Sequence, residues 1–225
     1  MEEALPVGAV PLAAVALRGA GDAMISEADN RRIVEAIRAA ESKTSGELYC
    51  VVARACGGYH LVAIAWAALL SLAVPWPLIH FTRWSAGMIY LVHLATFIVA
   101  AMVLSLPIIR YHIVPKRRSH RRAHIVAMQQ FLAQGIHLTE NRTGVLIFAS
   151  AAERYAEIVA DSGINAKVSP DAWVNAVSAL VSRIKAGRPG DGFVAAIELC
   201  GAELARNFPP GELNPNELPD RVVEI

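Results

Sequence analysis

The sequence predicts a small α/β layer domain with a mixed sheet, interrupted by a two-helix transmembrane hairpin. Three observations carry that expectation. Short runs rich in β-branched and aromatic residues alternate with segments of helical periodicity before residue 55 and after residue 116. Between them, residues 55 to 109 hold a single formal charge, Arg83. Directly afterwards RYHIVPKRRSHRRAH, residues 110 to 124, places six Lys or Arg and three His in fifteen positions.

The composition agrees with a locally oily chain. At 55% hydrophobic and 18% charged, the 225 residues exceed the apolar content of a soluble average, and the excess sits in the middle. A net charge of +1 hides a strong asymmetry, because no acid lies between Glu47 and Glu140. Cys50, Cys56 and Cys200 form no C-x-x-C pair and leave one thiol over, so free buried thiols are expected rather than a disulfide framework or a zinc site.

Residues 1–24 read as a flexible leader. The segment opens with two glutamates where a secretory signal carries positive charge, and Pro6 and Pro11 interrupt its apolar centre. The first half of the domain, 25–56, begins with Ser26 and Asp29 in capping-box spacing, followed by Ile33, Val34 and Ile37 on one helical face. ELYCVVAR, 47 to 54, is short and rich in strand formers.

Residues 57–110 form the hairpin, with spans at about 59–79 and 86–109, each near the roughly 20 residues that cross a hydrocarbon core. Trp76 and Trp84 bracket the turn while Tyr59 and Tyr111 stand at the other ends, where amphipathic rings settle at the headgroup levels. The turn carries Arg83 alone, whereas Arg110, Lys116, Arg117, Arg118, Arg121 and Arg122 follow the second span. Positive charge stays inside, which predicts a multi-pass protein of the cell (inner) membrane with both termini cytoplasmic. The basic residues are expected against the bilayer and its anionic headgroups, and no motif or aromatic stacking pattern points to nucleic acid. Within the spans, Ser71 and His93 fall at the same depth of an antiparallel hairpin and are expected to share a hydrogen bond. Ala63, Ala67 and Ser71 recur at spacing four and invite close helix approach.

The second half of the domain, 111–207, reads as a helix from about 117 to 134 with Ile125, Met128 and Leu132 inward, then strands GVLIFAS (144–150) and ERYAEIVAD (153–161). A helix after Ser169-Pro170 carries Trp173, Val177, Leu180 and Ile184 on one face, and another covers about 191 to 206. Strand, helix, strand implies a parallel crossover, and the added hairpin strand makes the sheet mixed. Residues 208–225, rich in proline and acid, are expected to be a flexible tail.

TSGELYCVV (44–52), TENRTGVLIFAS (139–150), ERYAEIVADSGI (153–164) and GDGFVAAI (190–197) together resemble the TPM domain family over roughly 26 to 54 and 117 to 207. The resemblance implies a three-layer α/β/α sandwich, in a family named for a thylakoid-lumen phosphatase associated with photosystem repair. Other members act as accessory subunits of membrane complexes. Some are described as metal-dependent acid phosphatases whose acidic loop residues hold a divalent cation. Many members carry an acid two residues before the glycine that opens the second strand, and this sequence has Arg142 there. The matching acids left for calcium or magnesium are Asp161 and Asp191, and a hard cation wants six or more oxygens.

Asp161 and Asp191 therefore compete with commoner roles, as cap of the Ser162-Gly163 turn and as N-cap of the last helix. Glu140 and His137 lie on a polar connection, and His120 and His124 read as a solvated or headgroup-facing pair. The sequence holds no Gly-rich phosphate loop, H-E-x-x-H or G-x-S-x-G. The leading expectation is a binding or scaffolding module with a membrane protein partner and no cofactor; the alternative is a weak divalent-metal-dependent phosphatase.

Overall fold

In a computed structural model describing residues 10–11, 24–211 and 215–225, the strands are β1 (Val10–Pro11), β2 (Glu47–Ala53), β3 (Gly144–Ser150), β4 (Tyr155–Ala160) and β5 (Val222–Glu224). The helices are α1 (Glu27–Glu41), α2 (His60–Ala73), α3 (Pro75–Phe81), α4 (Ala86–Ser105), α5 (Pro107–Ile113), α6 (Lys116–Ala133), α7 (Ser162–Asn165), α8 (Pro170–Lys185) and α9 (Pro189–Asn207). One mixed sheet runs β1-β4-β3-β2-β5. β2 and β3 are parallel from Glu47 opposite Gly144 to Ala53 opposite Ser150, and β4 returns antiparallel to β3.

Every residue of β2 and β3 is buried, the pattern of strands covered on both faces. Leu48, Cys50 and Val52 join a core with Ile33 and Ile37 of α1, Leu180 of α8 and Phe193 of α9. Tyr49, Val51 and Ala53 join a second core with Ala123, Ala127 and Phe131 of α6. The alternation of side chains along one strand thus builds an α/β/α sandwich. Burying each large apolar side chain contributes about 1.5–3 kcal/mol. Ser26 caps α1 by accepting the Asp29 N–H at 3.0 Å, and Ser169 with Pro170 opens α8.

Four expectations need correction. α6 buries Ala123, Ala127 and Phe131, while Ile125 and Leu132 are exposed. The inward stripe is offset from the predicted one because small residues let the helix lie close on the sheet. α9 starts at Pro189, so Asp191 stands inside its first turn and the N-cap is Arg188. β4 is Tyr155–Ala160 rather than 153–161, and Asp161 caps the short helix α7, in line with the expected turn cap. The tail is not free: β5 lies parallel to β2, Leu218 is buried, and Glu47 accepts the Glu217 and Leu218 N–H groups at 3.3 Å each. Arg38 Nε holds Asp220 at 2.8 Å. The apolar side chains interleaved among the tail's acids and prolines supply the contact. The predicted leader falls outside the described residues except for Met24 and for Val10 and Pro11, which pair antiparallel with β4.

The chain forms two compact units, one containing everything up to Cys56 and from His120 onwards, the other Gly57–Ser119. In the second unit two helices are long and apolar enough to cross a membrane, His60–Phe81 and Ala86–Ser105. The first breaks at Val74 ahead of Pro75, and the second ends at Leu106 ahead of Pro107, where proline removes a helical donor. Ala63, Ala67 and Ser71 are the buried residues of α2. His93 donates its Nδ1–H to the Ser71 backbone carbonyl at 2.8 Å, and the Ser71 hydroxyl donates instead to the Ala68 carbonyl. Tyr59 and Tyr111 meet edge to face with ring centroids 5.9 Å apart.

Candidate functional site

A buried polar cluster of the α/β unit lies on the α6 face, where β2 and β3 end. The parallel register brings Ala53 beside Ser150, and the turn at 151–154 swings Glu153 back under that edge. Arg154 takes a left-handed conformation, φ 52°, to complete the reversal. Glu153 accepts the Cys56 N–H at 2.9 Å and also the Ser150 hydroxyl. Cys56 Sγ donates to Ser150 Oγ at 3.4 Å, and Arg122 Nε donates to the Cys56 carbonyl at 3.1 Å. Three groups of the last residue before the hairpin unit are therefore tied down.

Tyr155 and Glu157, two apart on β4, face α6 from the same side of the strand. The Tyr155 hydroxyl and His124 Nδ1 both donate to Glu157 Oε2, at 3.1 and 2.9 Å. The His120 ring lies 5.2 Å from that of Tyr155. His120 and His124, at helical spacing four, are thus turned onto the sheet rather than toward solvent or headgroups. Glu157 is 1% exposed and its Oε1 has no partner. Burial pushes its carboxyl up, and the bonds from His124 and Tyr155 oppose that rise.

Chemically, this arrangement positions backbone and hydrogen-bonds an imidazole to a buried acid. It does not activate a nucleophile, because burial pushes the Cys56 thiol up to about 12 and the neighbouring Glu153 adds to the effect. Cys50 and Cys200 are likewise free and buried.

The acids singled out from the sequence do not converge. Asp161 follows β4 beside Gly144, whose carbonyl accepts its N–H at 2.9 Å, so it lies at the end of the sheet where β3 begins. Its Oδ1 accepts the Ser162 N–H at 2.6 Å. The Asn141 and Arg142 carbonyls press against Gly163, so Arg142, at φ 55°, borders this turn. Asp191 sits beyond the opposite end. It accepts from Arg32 Nη2 at 2.6 Å, Arg32 also holds Asp29, and the start of α1 is tied through Ile25 N–H to Glu224, the residue opposite Val52. One strand length, on the order of 20 Å, separates the two ends, too far for one cation. The hydrogen bond from Arg32 holds the Asp191 carboxyl below its usual range. No group of three or more His, Cys, Asp or Glu side chains able to hold a metal occurs among the described residues.

Glu140 is exposed and its N–H donates to Glu217, while His137 lies 6.5 Å from the Phe131 ring. Lys116, Arg117, Arg118 and Arg121 are exposed on α6, and none forms an ion pair among the described residues. Arg110 is folded onto His60 and Tyr111, and Arg122 belongs to the Cys56 clamp.

Compared with protein-family models and with curated proteins, the chain matches none. Its fold is shared. The NMR structure of the BA42 protein from the psychrophilic bacterium Bizionia argentinensis is similar to it at a TM-score of 0.58 and 21% identity, over 92% of this chain and 99% of that chain. At this identity the likeness concerns the fold alone.

Proposed function

We propose that this chain is a multi-pass protein of the cell membrane whose TPM-like α/β domain acts on the cytoplasmic side as a binding or scaffolding module for a membrane-associated complex. The observation that carries this reading is the exposure of both long apolar helices. Only 17% of the first and none of the second is buried within the chain, so neither is the core helix of a soluble protein. Leu61, Leu69, Leu72, Tyr90, Val99 and Met102 are among the large apolar side chains left uncovered, and a hydrocarbon phase accounts for them.

The unpaired cations of α6 support the orientation. Lys116, Arg117, Arg118 and Arg121 follow the second span, whereas the turn between spans holds Arg83 alone. Each such residue near an anionic surface contributes about 1 kcal/mol. Two crossings return the chain to the side it left, which lets β2 and β3 fold into one sheet. The partner is a membrane protein or its cytoplasmic segment.

Alkaline carbonate extraction with reporter fusions at residue 82 and at both ends tests the proposal. The chain should stay in the pellet, with a cytoplasmic reporter active at the two ends and silent at the turn. Release into the supernatant, or cytoplasmic activity from the turn alone, would sink it.

A further inference from the structure

The mouth of the helical hairpin contains an oriented guanidinium with no counterion among the described residues. Arg110 Nη1 donates to the His60 ring, 2.7 Å from Nε2, and Nη2 reaches the Tyr111 hydroxyl at 3.4 Å. Its guanidinium carbon lies 5.1 Å from the centre of the Tyr111 ring. Nε is buried and has no hydrogen-bond partner, and no carboxylate pairs with Arg110 among the described residues. An acid could not come from nearby sequence, since none lies between Glu47 and Glu140. A buried donor without an acceptor costs about 1–3 kcal/mol, so the site is built for an anion that no described residue supplies.

An apolar groove lies in the same unit. It has a volume of about 530 Å³ and runs between the two long helices along Leu70, Ala95, Val99, Ala100 and Leu104. Thr96 also lines it, but its hydroxyl is spent on the Val92 carbonyl at 2.8 Å. The bond from His93 to Ser71 sets the antiparallel register. Leu104 is eleven residues after His93 and His60 eleven before Ser71, so the groove ends at the level where Arg110 meets His60.

We infer that this unit binds one acidic phospholipid, with the phosphate on Arg110 and an acyl chain along the groove. The charge selects the class: an uncompensated guanidinium attracts a net-anionic headgroup and repels the ammonium of a zwitterionic one. The bare groove wall selects the tail, because it offers hydrocarbon contact and no free donor. The inference rests on the membrane reading proposed above.

The test uses the full chain in nanodiscs of phosphatidylcholine and phosphatidylglycerol, extracted into mild detergent and weighed by native mass spectrometry. One phosphatidylglycerol should remain per chain. Arg110→Gln should lower its retention about tenfold, the loss of one charge-assisted bond. Ala100→Trp, which fills the groove and leaves Arg110 in place, should lower it too. The double variant Arg117→Gln/Arg118→Gln should retain it, since those cations lie outside the mouth. Equal retention by Arg110→Gln, equal retention of phosphatidylcholine, or displacement by inorganic phosphate overturns the lipid site while the spans stand. Absence of the wild-type chain from the carbonate-resistant pellet would remove the membrane reading itself.

Discussion

The Glu153 carboxylate accepts the Cys56 N–H at 2.9 Å, pinning the last residue before the hairpin unit to the β3–β4 turn. Glu153→Ala should leave that buried N–H without its acceptor, at a cost of about 1–3 kcal/mol. Hydrogen exchange at residues 54–56 should then speed up at least about tenfold, with α8 and α9 protected as before. Unchanged exchange at Cys56 would show that Arg122 and Ser150 hold the segment by themselves.

Glu41 supplies a pH dependence. Burial pushes its carboxyl from 4.5 up to about 8, with Glu47 and Asp220 adding to the rise and the Leu48 N–H, bonded at 2.8 Å, opposing it. The folded pKa exceeds the unfolded one, so the native state keeps an extra proton between those values and its stabilisation declines as pH climbs through them. The slope is at most about 1.4 kcal/mol per pH unit. Melting of the detergent-solubilised chain should therefore fall from pH 5 to 8, and Glu41→Gln should flatten the decline. An equally steep curve in the variant would assign the effect elsewhere.

His124 and Glu157 form a pair to be measured by a double-mutant cycle. His124→Ala should destabilise the α/β unit by about 1–3 kcal/mol, because Glu157 is left in the core with the Tyr155 hydroxyl as its remaining donor. Adding Glu157→Gln should recover part of the loss. Strict additivity of the two changes would mean that the 2.9 Å contact carries no coupling.

Asp161 and Asp191 should behave as unrelated residues. Asp161→Asn should cost about 1 kcal/mol or less, since asparagine also caps helices, and Asp161→Ala about 1–2 kcal/mol. Asp191→Asn should loosen its two ion-pair partners, Arg32 and Arg188. Calorimetric titration with calcium, magnesium and manganese should give the same trace for all forms. Saturable micromolar binding lost in both Asn variants would restore a shared cation.

Local patterns made much of this architecture legible. The Ser26 cap, the Trp173, Val177, Leu180 and Ile184 stripe and the pairing of 47–53 beside 144–150 each follow from signals within a few residues, or from one crossover rule. The antiparallel hairpin reading placed Ser71 against His93, and the Ser71 backbone carbonyl is the acceptor. The polar cluster was hidden because its members come from four separate segments. Its one local signal is double: His120 and His124 share a helix face, and Tyr155 and Glu157 share a strand face. The tail was misread because its prolines and acids outweigh Leu218, Val222 and Val223 in composition, whereas the sheet edge responds to those three side chains and to backbone donors.

The placement of β2 between β3 and β5 has a consequence for biosynthesis. On the ribosome β2 is made first, then the two apolar spans, and its neighbours arrive about ninety and about one hundred and seventy residues later, which at 5–20 residues per second is a wait of roughly 5 to 35 seconds. During that interval a strand whose seven residues are all buried in the finished domain stands with both edges open. Completion of the sheet waits for Val222–Glu224, so a chain stalled before them has both long apolar helices made and its α/β domain unsealed.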